Sequence, residues 1–259
     1  MLAGATTYSL TTNTTINPVL LIMGTAVFTG AALAPDLDSY TATATRSFGI
    51  FGRILYYLTN GISMLIYNIT KTSKDDPREN GHRTFMHTIV AAILVGLGVL
   101  GLTSLPGQIP LFGQTLTGGQ LAALILMWFF LHLGISGLFG KQLRNAKKGI
   151  GAYILMIISF AITAIISIFL PTTENYQWLA ILVTLGMLVH DAGDGVTKAG
   201  VPMLCPLKIR GKRWYDVALP APLRIAAGGA VENAILIPIF IVTIAVSTVL
   251  LFLIGFGIL

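Results

Sequence analysis

The sequence predicts an all-α, polytopic transmembrane bundle of about six spanning helices plus one re-entrant or interfacial helix. Three observations predict it. The 259 residues are 54% hydrophobic and only 10% charged, with a mean hydropathy of +0.81, and no soluble domain could carry that composition without large exposed apolar patches. Apolar runs of bilayer length recur from Ile16 to the C-terminus. Between them, Lys and Arg gather in alternate loops, the asymmetry that orients membrane helices.

Taken in order, Ile16–Ala34 is the first span. It should stop at Ala34, because a residue preceding proline is pushed out of the α region and Pro35 has no N–H. Phe48–Ile69 contains Arg53, Asn60, Gly61 and Asn68, so an interfacial or re-entrant helix fits it at least as well as a full span. Phe85–Leu102, Gln120–Phe139, Ile150–Leu170, Trp178 to about Thr197, and Asn233–Leu259 read as further spans of bilayer length. No internal repeat is visible, so residues 1–259 form a single integral membrane domain with a basic loop at 198–231. The N-terminus lacks a basic stretch ahead of its first apolar run, which predicts an uncleaved start.

Loops Thr103–Gly119 and Pro171–Gln177 carry no basic residue, whereas Lys71–Arg83, Lys141–Lys148 and Lys198–Arg224 are rich in Lys and Arg. The basic loops should face the cytoplasm. Threading is then self-consistent only if Phe48–Ile69 does not cross. The net charge of +6 reads as orientation signal and anionic-lipid contact; membrane lipids are the expected partners and nucleic acid is not. With Cys205 as the single cysteine, a thiolate zinc site is impossible, and any metal must be held by imidazole and carboxylate.

Asp36, Asp38, His82, His87, His190, Asp194 and Glu232 all map to the cytoplasmic end of the bundle. Asp36 and Asp38 stand two apart after Pro35, and an extended backbone there would aim both to one side; a plain helix stop with solvated acids is the alternative. His82 and His87, five apart, would be about 140° apart on a continuous helix. They can converge if His82 lies in the turn before the helix, where Asn80-Gly81 supplies a break. His190 and Asp194 share a helical face at i, i+4, with Thr197 at i+7, and ionisable groups at that depth are costly unless paired or metal-bound. Asp191 points about 100° from His190 and reads as a supporting partner. His132 reads as an interhelical hydrogen-bonding residue. Glu232 opens the last helix, where the macrodipole favours a carboxylate. Arg83, Lys198, Lys208, Arg210, Lys212 and Arg213 could neutralise a phosphorylated substrate or hold anionic headgroups.

The ordered set Ala34-Pro35-Asp36-Leu37-Asp38, Gly81-His82-Arg83-Thr84-Phe85-Met86-His87 and His190-Asp191-Ala192-Gly193-Asp194-Gly195-Val196-Thr197-Lys198-Ala199-Gly200-Val201-Pro202 resembles the LexA-binding, inner membrane-associated metal-dependent hydrolases, with Glu232 matching a later glutamate of that family. More distantly the pattern is similar to zinc-dependent phospholipase C and P1-type nucleases. Two departures stand out. The histidine often found in the first helix of such proteins has no counterpart before Pro35, and the Gln120–Leu170 helix pair looks like an insertion.

The resemblance implies hydrolysis of a phosphoester in a lipid or lipid-linked phosphorylated substrate at the cytoplasmic face. One to three divalent metals, zinc or manganese, would be held by Asp36, Asp38, His87, His190 and Asp194. His82 would be a ligand or general acid, Arg83 an anion clamp, and Glu232 a further catalytic residue. The same residues also suit a transporter or channel that moves ions or protons, or a non-catalytic scaffold. A transporter needs a polar path to the far face, where the helices are almost free of ionisable groups.

Overall fold

A computed structural model describes residues 18–111, 114–144, 150–169, 176–226, 229 and 234 of the chain. The described part is mostly helical. Helix α1 spans Pro18–Ala31, α2 Thr43–Ser47, α3 Ile50–Thr70, α4 Ile89–Thr103, α5 Gly118–Arg144, α6 Ile150–Ser167 and α7 Trp178–Val196. Short 3-10 turns occupy Pro35–Asp38, Phe85–His87 and Ala221–Leu223. The uncharged loop after α4 closes as a two-stranded hairpin, Gln108–Leu111 with Gln114–Thr117.

Among the described residues, four stretches are long and apolar enough to cross a membrane: Val19–Asp38, Gly118–Phe139, Ile150–Ser167 and Trp178–Val196. Helix α4 is apolar but shorter, because its first residues, Phe85–His87, form a 3-10 turn and the α-helix begins only at Ile89, capped by the Thr88 side chain accepting from Ala91 N. The sixth expected span, Asn233–Leu259, lies outside the described residues. The core sits where α1 packs on α5 and α7, α4 on α7 and α5, and α6 on α5. Small residues allow these close approaches: a Cβ on Gly30 would collide with the Phe130 carbonyl, and one on Gly186 with the Phe28 carbonyl and Ala31.

Among the described residues, helix α3 is not one of the candidate spans. Ile50, Phe51, Ile54, Leu58, Ile62, Leu65 and Ile69 form an exposed apolar stripe, while Gly52, Ser63 and Tyr67 are buried on the other side. That is the pattern of a helix lying along a membrane surface. Its polar side is structural. Thr59 Oγ1 donates to Leu37 O at 2.8 Å and Asn60 Nδ2 to Asp38 O at 2.9 Å, and a Cβ on Gly81 would meet the Asn60 carbonyl. One helix therefore braces both the Pro35–Asp38 turn and the His82 loop.

The basic loop after α7 folds back on the same end. Trp214 is buried against Tyr67 and donates from Nε1 to Thr70 Oγ1. Its backbone N–H and that of Thr72 donate to the Asp75 carboxylate; burial would raise this acid, and these hydrogen bonds hold it below its ordinary value. Arg213 donates to Thr70 O, Arg78 pairs with Asp216 and Lys212 with Asp76. Lys212 and Arg213 thus fasten the loop to α3 and the segment after it, a use in addition to any headgroup contact.

Candidate metal centre

The three motif segments meet at one end of the bundle. The expected extended arrangement of Asp36 and Asp38 does not occur. Ala34, past the end of α1, keeps right-handed α dihedrals despite preceding proline, and Leu37 N bonds back to Ala34 O, winding Pro35–Asp38 into a 3-10 turn. Residues two apart in such a turn point about 120° apart. The aspartates therefore diverge: Asp38 is fully buried and faces His82 and His87, whereas the half-buried Asp36 faces His190.

His82 and His87 do converge, with ring centroids 5.4 Å apart. His82 lies in the loop and His87 ends the turn ahead of α4, and the chain bends between them at Arg83, whose φ of 55° is left-handed. His82 Nδ1 lies 2.8 Å from Asp38 Oδ1. His87 Nε2 lies 3.5 Å from Asp38 Oδ2, and its Nδ1 lies 3.4 Å from Asp194 Oδ2 and 3.7 Å from Asp191 Oδ1. His190 Nε2 stands 3.6 Å from Asp194 Oδ2 and 3.8 Å from Asp36 Oδ1, with its ring centroid 5.1 Å from that of His87. Arg83 Nη2 donates to Asp194 Oδ1 at 3.2 Å. The guanidinium is thus anchored to a carboxylate of the cluster.

Asp191 is the residue that sequence reasoning placed outside the ligand set. It is 1% exposed and faces His87. Measured from His190 it is about 100° away, but Asp194 falls between the two at about 40°, so Asp191 is only about 60° from Asp194. All three occupy one arc of α7, and that arc was the available signal. His132 is a bystander, as expected: fully buried in α5, it faces Ser47 O at 3.1 Å through Nε2 and Ser159 Oγ at 3.2 Å through Nδ1. The Thr197 hydroxyl donates to Asp194 O and caps the end of α7. Glu232 lies outside the described residues.

Two groups of three side chains place one ligand atom each within 4.8 Å of one another: Asp36, His87 and His190, and Asp38, His82 and His87. The donor chemistry fits a divalent cation. Asp38 Oδ2, both ring nitrogens of His87, His190 Nε2 and both carboxylate oxygens of Asp191 are buried without a hydrogen-bond partner. Four carboxyl groups gather around the histidines, with the Arg83 guanidinium paired to one of them. His87, in the turn ahead of the helix, registers this: burial alone would lower its pKa, but Asp194, Asp38 and Asp191 outweigh burial and raise it to about 10. The site attracts a cation, and a proton and a metal ion compete for His87.

The family model described as YdjM inner membrane protein matches residues 1–140, more than half of the 259-residue chain. The chain belongs to that family, and its apolar helices agree with an inner membrane location. No curated protein and no solved structure matches it.

Proposed function

We propose that this member of the YdjM inner membrane protein family is a metal-dependent hydrolase that cleaves a phosphoester of a lipid or lipid-linked substrate at the cytoplasmic face. The observation that carries the reading is the convergence of Asp36, Asp38, Asp191, Asp194, His82, His87 and His190, with six unpartnered buried polar atoms among them, at one end of an apolar bundle. Mixed imidazole and carboxylate donors suit zinc or manganese. A bound divalent ion there would supply a water with its pKa lowered toward about 7 and a charge to stabilise the phosphoryl oxygens.

The chain's own residues divide the remaining work. Asp36, His87 and His190, or Asp38, His82 and His87, would hold the ion. A neutral imidazole has one lone pair, so His87 serves one group at a time. His82, 34% exposed and oriented through Nδ1 by Asp38, would give a proton from Nε2 to a leaving alkoxide. Arg83 positions Asp194, and its other donors, which have no protein partner among the described residues, can meet a phosphoryl oxygen. Among the described residues, the far ends of α1, α4, α6 and α7 carry no Asp, Glu, Lys, Arg or His. That supports an enzyme over a transporter, which needs a polar path to the other side.

The test is phosphate release from lipid phosphomonoesters and phosphodiesters by the protein in lipid nanodiscs, with zinc or manganese restored after chelation. Metal-dependent turnover abolished by His190→Ala is the expected outcome. A fully metal-loaded protein that turns over none of these esters would remove the hydrolase reading.

A further inference from the structure

We propose that a second site beside the Asp/His cluster, an arginine–tyrosine pocket between α2, α3 and α6, binds the phosphate of a membrane lipid. The chain makes this pocket at a bend. Helix α2 ends at Ser47, Gly49 turns the backbone with φ 57°, and α3 starts at Ile50. The turn brings Arg46 and Arg53, seven residues apart and on different helices, to the wall of one cavity of about 560 Å³. Tyr40, Thr45 and Tyr153 make up the rest of the polar lining. Gly49 is favoured by its left-handed φ, and a Cβ there would press on the end of the Tyr153 side chain at 3.2 Å.

Charge and shape point to a phosphate. Arg46 and Arg53 are exposed, and no carboxylate among the described residues pairs with either. Two guanidinium forks and two phenolic hydroxyls match a tetrahedral anion, and the volume is that of a small-molecule site. The neighbouring acids turn away. The Pro35–Asp38 turn presents its backbone carbonyls to Thr45 Oγ1, while its carboxylates face the histidines.

The surroundings point to a lipid as the source. Exposed Ile50, Phe51 and Ile54 flank the pocket on α3, and Ile154, Ile157 and Ile158 are exposed on α6. An acyl chain could continue from the phosphate along either helix, leaving both arginines at headgroup depth.

Native mass spectrometry of the intact detergent-purified chain tests this, with phosphatidylglycerol, a neutral diacylglycerol and inorganic phosphate as separate probes. Phosphatidylglycerol adducts should persist, diacylglycerol adducts should not, and inorganic phosphate should bind far more weakly. Arg46→Gln with Arg53→Gln should lower phosphatidylglycerol occupancy at least about tenfold, with metal content unchanged as the check on folding. Lys71→Gln, an exposed cation away from the pocket, should have no effect. Wild-type occupancy in the double variant, or equal binding of diacylglycerol, would overturn the proposal. Inorganic phosphate binding as tightly as the lipid would overturn its lipid source. Because metal content is read separately, failure here is distinct from failure of the metal centre.

Discussion

Replacing His87 by glutamine, beside the same change at His82 and His190, probes the centre most directly. His87 is fully buried and is the one side chain common to both three-ligand groups. Alanine there would remove the imidazole that both buried Asp38 and buried Asp191 face, leaving Asp38 with His82 alone, a loss of about 3–5 kcal/mol for a broken buried pair. Glutamine keeps volume and offers an amide donor, so the fold should survive while the ligand is lost. Removing a residue that merely supports a ligand costs 10–100-fold in metal affinity, so loss of the ligand itself should exceed about 100-fold, or about 2.7 kcal/mol. His82→Gln and His190→Gln should divide, because each belongs to only one group: the variant in the occupied group should lose the ion and the other should keep it. Elemental analysis after desalting, with a chelator competition for affinity, reads all three. A His87→Gln protein that retains one equivalent of metal at wild-type affinity would refute the shared-ligand geometry.

Asp191→Asn tests whether that carboxylate works for the centre: metal affinity should fall about 10-fold or more, whereas an idle buried charge would give unchanged affinity and a more stable metal-free protein in thermal unfolding. Because His87 in the metal-free protein is held up to about 10 from an ordinary 6.5, its protonation stabilises the fold fully below pH 6.5 and that contribution fades as pH rises toward 10. Metal-free protein should therefore lose thermal stability between pH 7 and 10 more steeply than metal-loaded protein, and zinc uptake at pH 8 should release a proton, seen as buffer-dependent heat in calorimetry. His132→Ala should lower the unfolding temperature, since its ring links α5 to Ser47 and Ser159, yet leave metal content intact. In a Cys205→Ser background, an impermeant thiol reagent on intact cells should miss a cysteine at Lys74 and label one at Gln108; the reverse pattern would put the centre on the outer face.

The sequence by itself determined the class of molecule and the residues at stake. Hydropathy and length mark the crossing helices, because lipid obliges every span to be apolar and internally hydrogen-bonded. Charges are so few that Asp36, Asp38, His82, His87, His190 and Asp194 stand out against the apolar background. The polar residues Arg53, Asn60, Gly61 and Asn68 set α3 apart from the more apolar helices, and it is not among the candidate spans of the described residues. What periodicity could not give was direction within the turns. Pro35–Asp38 winds into a 3-10 turn because Ala34 keeps right-handed α dihedrals and Thr59 and Asn60, more than twenty residues away, hold its carbonyls. That winding sends Asp36 to His190 and Asp38 to His82. Asp191 joins the centre because His87 enters from another segment and stands between the faces of α7. Only tertiary packing decided these contacts, since a helical wheel records angles about one axis and the centre is shared among three segments.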